Sequence, residues 1–399
     1  MNILIFTVSA GAGHVKAAEA IQEQIKLNYP DANIMIIDTY RYISPLLDKI
    51  IVGGYLNIIK KTPRVYGKYY SLSEPRGSRY NFGSALNKLL SIKIMYLIDK
   101  FKPSLIACTN FIPLQILSKL HKKGQLKVPT VSIITDYTTH SYWLHEYVSA
   151  YVVANDFIKN ELIKKGIPEN IIYPLGIPVT SSFYQKKDKL ELCKEHNLEN
   201  KPTVLIMGGS LGFGDIRKTF LSLLGYPGDI QIVVITGANT KLKGQLERYS
   251  KNSSKSIKIL GYTDKIADFM EISDLLITKP GGMTISEALI KGVPVLIISP
   301  IPGQEERNAR FLTNIGVAAR ILKNDNIDNM LHQIIDNPLR ICHMKEMAKL
   351  LAKPTATDKI AGLIIDLSLE SEKENAQMQM SMPQNAIIES KNWRRILSP

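Results

Sequence analysis

The chain has 399 residues, of which 45% are apolar and 22% charged, enough to fill two hydrophobic cores and inconsistent with a low-complexity chain. Its three cysteines, Cys108, Cys193 and Cys342, are far apart and show no CxxC spacing, which excludes a disulfide scaffold or zinc site and points to a reducing compartment. The formal charge of +14 is concentrated in one stretch rather than spread along the chain.

In chain order, Asn2–Val8 reads as a buried first strand, without the basic region and cleavage site of a signal peptide. No apolar run approaches the roughly 18–20 residues needed to span a bilayer. A cytoplasmic protein is expected, peripheral if it meets a membrane. After the strand comes Ser9-Ala10-Gly11-Ala12-Gly13-His14, then a helix from about Val15. The turn resembles a dinucleotide GxGxxG, but its sixth position is Lys16, where close helix–strand packing wants no side chain, and no GxxxxGK[ST] loop exists. Glycines let the backbone approach a ligand, and the positive helix start favours a neutral His14, available as a base. Capping or packing is the alternative for a lone histidine.

Ala32–Asp38 is the second strand. Between Lys49 and Lys102 stand 11 Lys and Arg against two acids, Glu74 and Asp99, interleaved with Tyr55, Tyr66, Tyr69, Tyr70, Tyr80, Phe82 and Tyr96. Such a stretch suits an anionic membrane surface, with a solvated basic face as the plainer reading. RNA is disfavoured because no RRM, KH or zinc-knuckle signature accompanies it. Strands Leu105–Thr109, Thr130–Thr135 and Ala150–Ala154 follow, with Asp136 at a strand's carboxyl end and His140, Trp143 and His145 just beyond.

The break falls near Gly176-Ile177-Pro178-Val179. It divides a first domain, 1–180, from a second, 181–369, and a tail, 370–399, rich in Gln, Met, Ser and Asn is expected to be loosely ordered. The second domain offers strands Thr203–Met207, Gln231–Thr236, Ile257–Leu260, Leu275–Thr278 and Val293–Ser299. Continuous β-branched runs mean strands buried on both faces, hence parallel sheets under helices. The expected fold is α/β, with two doubly wound, Rossmann-like domains facing a cleft, and ligands beyond the carboxyl strand ends. Four glycine-containing or polar loops fall at such ends: Gly208-Gly209-Ser210, Gly261-Tyr262, Pro280-Gly281-Gly282-Met283 leading to Glu287, and Gly303-Gln304-Glu305 with Asn308. Backbone N–H groups and Ser210 suit a diphosphate, Glu287 the paired hydroxyls of a ribose, and Gln304 and Glu305 a sugar. A nucleotide sugar fits this set.

The series GxGH, TDY…H…WLHE, GIPV, GGSLG, LGY, KPGGMTISEALIKGVPV and PGQEERN resembles glycosyltransferase family 28, in its diacylglycerol glycosyltransferase branch, over residues 1 to about 367. The resemblance implies a metal-independent, inverting transferase of the GT-B type, with no cofactor, using a UDP-hexose donor and diacylglycerol as acceptor at the cytoplasmic membrane face. It implies His14 as the base, or at least a place for it beside the donor. Asp136, at its strand's carboxyl end, reads as orienting an acceptor hydroxyl or a histidine, with a structural cap as the alternative. It implies contacts to the donor from Gly13, Gly208, Gly209, Ser210, Gly261, Tyr262, Gly281, Gly282, Met283, Glu287, Gly303, Gln304, Glu305 and Asn308. Tyr55, Lys60, Lys61, Arg64, Tyr66, Lys68, Tyr69, Tyr70 and Trp143 would face acceptor and anionic lipid, and no nucleic acid is involved. The chain contains no DxD triplet, in keeping with a leaving group stabilised without metal. One departure is Thr180, where relatives often carry arginine after GIPV; Lys279 is a candidate substitute. Transfer of N-acetylglucosamine to a polyprenyl-linked peptidoglycan precursor, and a non-catalytic UDP-sugar sensor on the membrane, are the competing readings. The basic tyrosine stretch disfavours the first and His14 the second.

Overall fold

The computed structural model describes residues 1–9, 11–73, 84–210, 212, 214–322 and 325–381. Tyr80 and Phe82 of the basic stretch lie outside the described residues.

Six strands form the first sheet: β1 (Asn2–Thr7), β2 (Asn33–Asp38), β3 (Leu105–Cys108), β4 (Thr130–Ile133), β5 (Ala150–Val152) and β6 (Ile172–Tyr173). They run parallel in the order β2-β1-β3-β4-β5-β6. The second sheet holds β7 (Thr203–Met207), β8 (Gln231–Ile235), β9 (Ile257–Leu260), β10 (Leu275–Thr278), β11 (Val295–Ile297) and β12 (Ala318–Arg320). It is also parallel, in the order β12-β11-β10-β7-β8-β9. Strands β3, β7, β8 and β10 are buried along their whole length, as unbroken apolar runs covered by helices require. β6 and β12, at two and three residues, are too short to leave a pattern and went unseen in the sequence. Strand order reverses between β1 and β3 in one sheet and between β7 and β10 in the other. Those switch points are where an open α/β sheet leaves room for a ligand.

The expected C-terminal limits need correction. Helix Ala356–Ser381 continues well past 370 and returns to the first sheet. Its Ile360, Ile364 and Ile365 share a core with Ile3, Ile5, Ile21 and Ile25, and the Ser368 hydroxyl lies 2.7 Å from that of Ser104. Within the stretch read as a tail, Ser371 is still buried and residues 373–377 are exposed. Residues 382–399 lie outside those described.

Two crossings therefore join the domains, and Thr357 ties them together. Its hydroxyl accepts from Val179 N at 2.9 Å, donates to Val179 O at 2.8 Å and meets the Tyr184 hydroxyl at 2.8 Å. Gly176, at φ +111°, lets the outgoing crossing pass: a Cβ there would lie 2.7 Å from Lys353 Cβ and 2.8 Å from Ala356 Cβ. Both the backbone conformation and the lack of space demand glycine. Gly176→Ala is expected to lower stability by about 1–3 kcal/mol, read as a shift of the urea unfolding midpoint. An unchanged midpoint would show that the crossings adjust freely.

Candidate active site

A cleft of about 490 Å³ lies between the sheets, with both switch points on its walls. From the first domain come Gly11, Gly13, His14 and Lys16 after β1, and Thr135 and Asp136 after β4. From the second come Gly208, Gly209 and Ser210 after β7, Tyr262 after β9, Lys279 to Glu287 after β10, and Gln304 and Glu305 after β11. Of the anticipated donor residues, Gly261, Gly303 and Asn308 do not line it.

Three helices open onto the cleft: Ala12–Asn28, Gly282–Lys291 and Gln304–Asn314. Each is preceded by glycine, Gly11, Gly281 or Gly303, and none has a side-chain cap. Helices Phe111–Lys122, Asp156–Lys164 and Thr240–Ser250 instead carry an asparagine whose side chain accepts from their first turn. The positive ends of the cleft helices therefore face the cleft without a side-chain cap.

His14 Nδ1 lies 3.0 Å from the Thr135 hydroxyl, and burial holds the imidazole down to about 4, so it is neutral at pH 7. Thr109 fixes the same turn by donating to His14 O at 3.0 Å. The two domains approach closely here. Gly13 packs against Met283, and a Cβ on Gly282 would fall 1.9 Å from Thr135 O. Only glycine lets the second helix start close onto the strand end that holds the histidine.

Asp136 turns to the second domain and not to His14. Its carboxylate accepts from Asn308 Nδ2 at 2.9 Å and from Gln304 Nε2. Burial pushes it up to about 6 against the opposing effect of these amides. Asn308, fully buried, also donates to Pro280 O at 3.1 Å and accepts from Tyr137 N at 3.0 Å, while the Tyr137 hydroxyl meets Ser286 at 2.8 Å. Asn308 is a bridge between domains rather than a wall of the cleft. Glu305 is held by Ile301 N at 2.8 Å and Lys279 Nζ at 3.1 Å. Burial pushes Glu287 up to about 8, opposed by the charge of Lys16.

The surface assignments divide. Arg64 and Lys68 are exposed, Tyr66 lines the cleft, and the side chains of Tyr55, Lys60, Lys61 and Tyr69 lie outside those described. Tyr70 and Trp143 are buried, which corrects their placement on a lipid-facing surface: Trp143 packs edge-on to Phe111, its rings 6.0 Å apart. His140 is buried against Tyr70, and His145 is held down to about 4 by burial. Among the described residues, Glu195, His196 and Asp268 are close enough to share a cation, but they lie outside the cleft and Asp268 is already paired with Lys187 and His196. Sequence reasoning missed Thr135, whose partner lies 121 residues away. It also missed Ser182 and Phe183, which reach the cleft beside Thr180.

A family model described as monogalactosyldiacylglycerol (MGDG) synthase matches residues 14–179, and the glycosyltransferase family 28 C-terminal domain matches 203–360. The chain is 29% identical over 369 residues to a processive diacylglycerol beta-glucosyltransferase of Bacillus licheniformis, covering 92% of this chain and 95% of that one. The Bacillus subtilis protein of the same description is 28% identical over 380 residues, covering 95% and 97%. Among solved structures, Acinetobacter baumannii MurG aligns with a TM-score of 0.60 at 15% identity, covering 92% of this chain and 99% of that one. Anabaena HepE in complex with UDP and glucose aligns at 0.52 and 15%, covering 96% and 100%. These likenesses show the GT-B fold.

The raised Glu287 gives a pH signature. The unfolded chain ionises this group near its ordinary range, whereas the folded protein keeps the proton to about 8. Stability is therefore lost as pH rises through that window. Glu287→Gln should melt near the wild type at pH 5 and a few °C above it at pH 8.5, by calorimetry of ligand-free protein. Parallel pH curves would refute a buried, protonated Glu287.

Proposed function

We infer that the chain belongs to glycosyltransferase family 28, in its diacylglycerol glycosyltransferase branch. From that membership we infer that it moves a hexose from a UDP-sugar to the hydroxyl of diacylglycerol, giving a β-glycosyldiacylglycerol. The observation that carries the mechanism is the opposition of a neutral His14 to uncapped helix starts across one cleft.

In this reading the diphosphate lies against Gly208–Ser210 and the start of helix Gly282–Lys291, with Lys279 close by. Glu287 accepts from the ribose hydroxyls. Gln304 and Glu305 face the hexose. The diacylglycerol hydroxyl attacks the anomeric carbon from the side opposite the diphosphate. Its proton passes to His14, the bond from the anomeric carbon to the diphosphate oxygen breaks, and UDP leaves with the bonding pair. Thr135 holds the imidazole so that its other nitrogen faces the acceptor. Backbone N–H groups, Ser210 and Lys279 take up the charge that develops on the leaving group, so no metal is needed.

The acceptor enters from an anionic bilayer on the cytoplasmic side. Helices Pro45–Lys61, Pro63–Ser73 and Ser84–Phe101 leave Leu46, Ile50, Val65, Leu72, Ile92 and Tyr96 exposed, beside Arg64, Lys68 and Lys88. Apolar side chains among cations match the acyl boundary and charged headgroups of such a surface. No helix among the described residues is long and apolar enough to cross a membrane.

Purified protein, diacylglycerol in anionic vesicles and a panel of UDP-sugars should yield a glycolipid, with turnover unchanged by EDTA. His14→Ala should reduce turnover by about 10²–10⁴-fold while UDP binding persists. Binding of UDP without any glycolipid would favour another acceptor or a sensor. Ribose hydroxyls donating to Glu287 favour its ionised form, so UDP binding at pH 7 should release a proton, seen as buffer-dependent heat in calorimetry. Heat independent of the buffer would remove Glu287 from the ribose site.

A further inference from the structure

Helix Pro63–Ser73 of the first domain presses on the turn that introduces Gln304 in the second, through two reciprocal notches. At one, Gly67 receives Pro302: a Cβ at position 67 would lie 2.5 Å from Pro302 Cβ. At the other, Gly303 receives Tyr70: a Cβ on Gly303, at φ +105°, would lie 3.0 Å from Tyr70 Cγ. The Tyr70 ring is itself enclosed, with the His140 ring 4.3 Å away and the Arg307 guanidinium 5.7 Å from its centre. His140 Nε2 lies 3.1 Å from Tyr70 O, and Arg307 Nη1 donates to Thr139 O at 2.8 Å. The helix also contributes Tyr66 to the cleft wall, which Ile301 and Gln304 line as well.

We propose that Gly67 and Tyr70 are positioning residues for the donor's hexose: they fix the Ile301–Gly303 turn and thereby the placement of Gln304 and Glu305. The proposal rests on the reading above that Gln304 and Glu305 face the sugar. The second domain contains the glycine loops for the nucleotide, but the turn before Gln304 is pinned by a helix of the other domain. Recognition of UDP is then a property of the second domain, whereas recognition of the hexose depends on both. A misplacement of about 1 Å at such a turn is enough to cost a large factor in binding or rate.

The test compares UDP with UDP-glucose by titration calorimetry on the full chain without lipid. Gly67→Ala puts a methyl into Pro302, whereas the double variant Gly67→Ala/Pro302→Gly removes the opposing Cβ. The next atoms would then be Pro302 C at 3.4 Å and Cα at 3.5 Å, ordinary contact distances. Gly67→Ala should weaken UDP-glucose about tenfold and UDP less than about twofold, and the double variant should recover UDP-glucose to within about threefold of wild type. Equal losses for both ligands, or no loss for UDP-glucose, would overturn the proposal. So would a double variant that recovers nothing. Failure of the wild type to bind either nucleotide would instead remove the functional reading itself, and this proposal with it.

Discussion

The arrangement depends on a polar seam buried between the domains. Asp136 and Tyr137 belong to the first domain, Ser286, Gln304 and Asn308 to the second, and their hydrogen bonds close the cleft from behind. Each group left without its partner would carry the desolvation cost of a buried polar atom, so the network holds one registration of the domains and penalises neighbouring ones. A purely apolar seam of the same area would tolerate sliding. The contact of Gly282 against Thr135 O adds a steric limit, because any larger residue would wedge the domains apart.

This registration fixes the electrostatics. Two groups of the cleft stay uncharged at pH 7, His14 deprotonated and Glu287 protonated, whereas Asp136, raised only to about 6, remains mostly ionised. Against these stand the positive ends of three helices without side-chain caps. Lys279 is partly neutralised by Glu305 and Lys16 by Glu19, so an entering diphosphate competes with internal acids for lysine charge. Thr180 also stands on the cleft wall, where Lys16 and Lys279 are the cationic side chains among the lining residues.

The fold was largely legible because parallel strands buried on both faces read as unbroken apolar runs, and the ligand edge because glycines and polar residues follow those runs. Local signals stop there. Trp143 has the composition of an interfacial residue but fills the core beside Phe111, a fact set by distant packing. Helix Ala356–Ser381 reads as a tail in its later part because residues 373–377 are exposed, whereas its first half packs on a strand more than 350 residues earlier. Asn308 carries the right chemistry for a sugar and is used to join domains, which no spacing in its own segment could reveal. The Thr135 partnership with His14 was hidden for the same reason.

Thr135 and Asp136 are neighbours at the end of β4, and they point to different tasks. The Thr135 side chain meets the imidazole, and the Asp136 side chain meets the amides of the second domain. Two adjacent residues just beyond β4 thus serve the imidazole and the interdomain seam separately. His14 and Thr135 both belong to the first domain, so their contact does not depend on the bonds that Asn308 and Gln304 make across the seam. A base already held within one domain then needs only the closed registration to face the uncapped helix starts of the other.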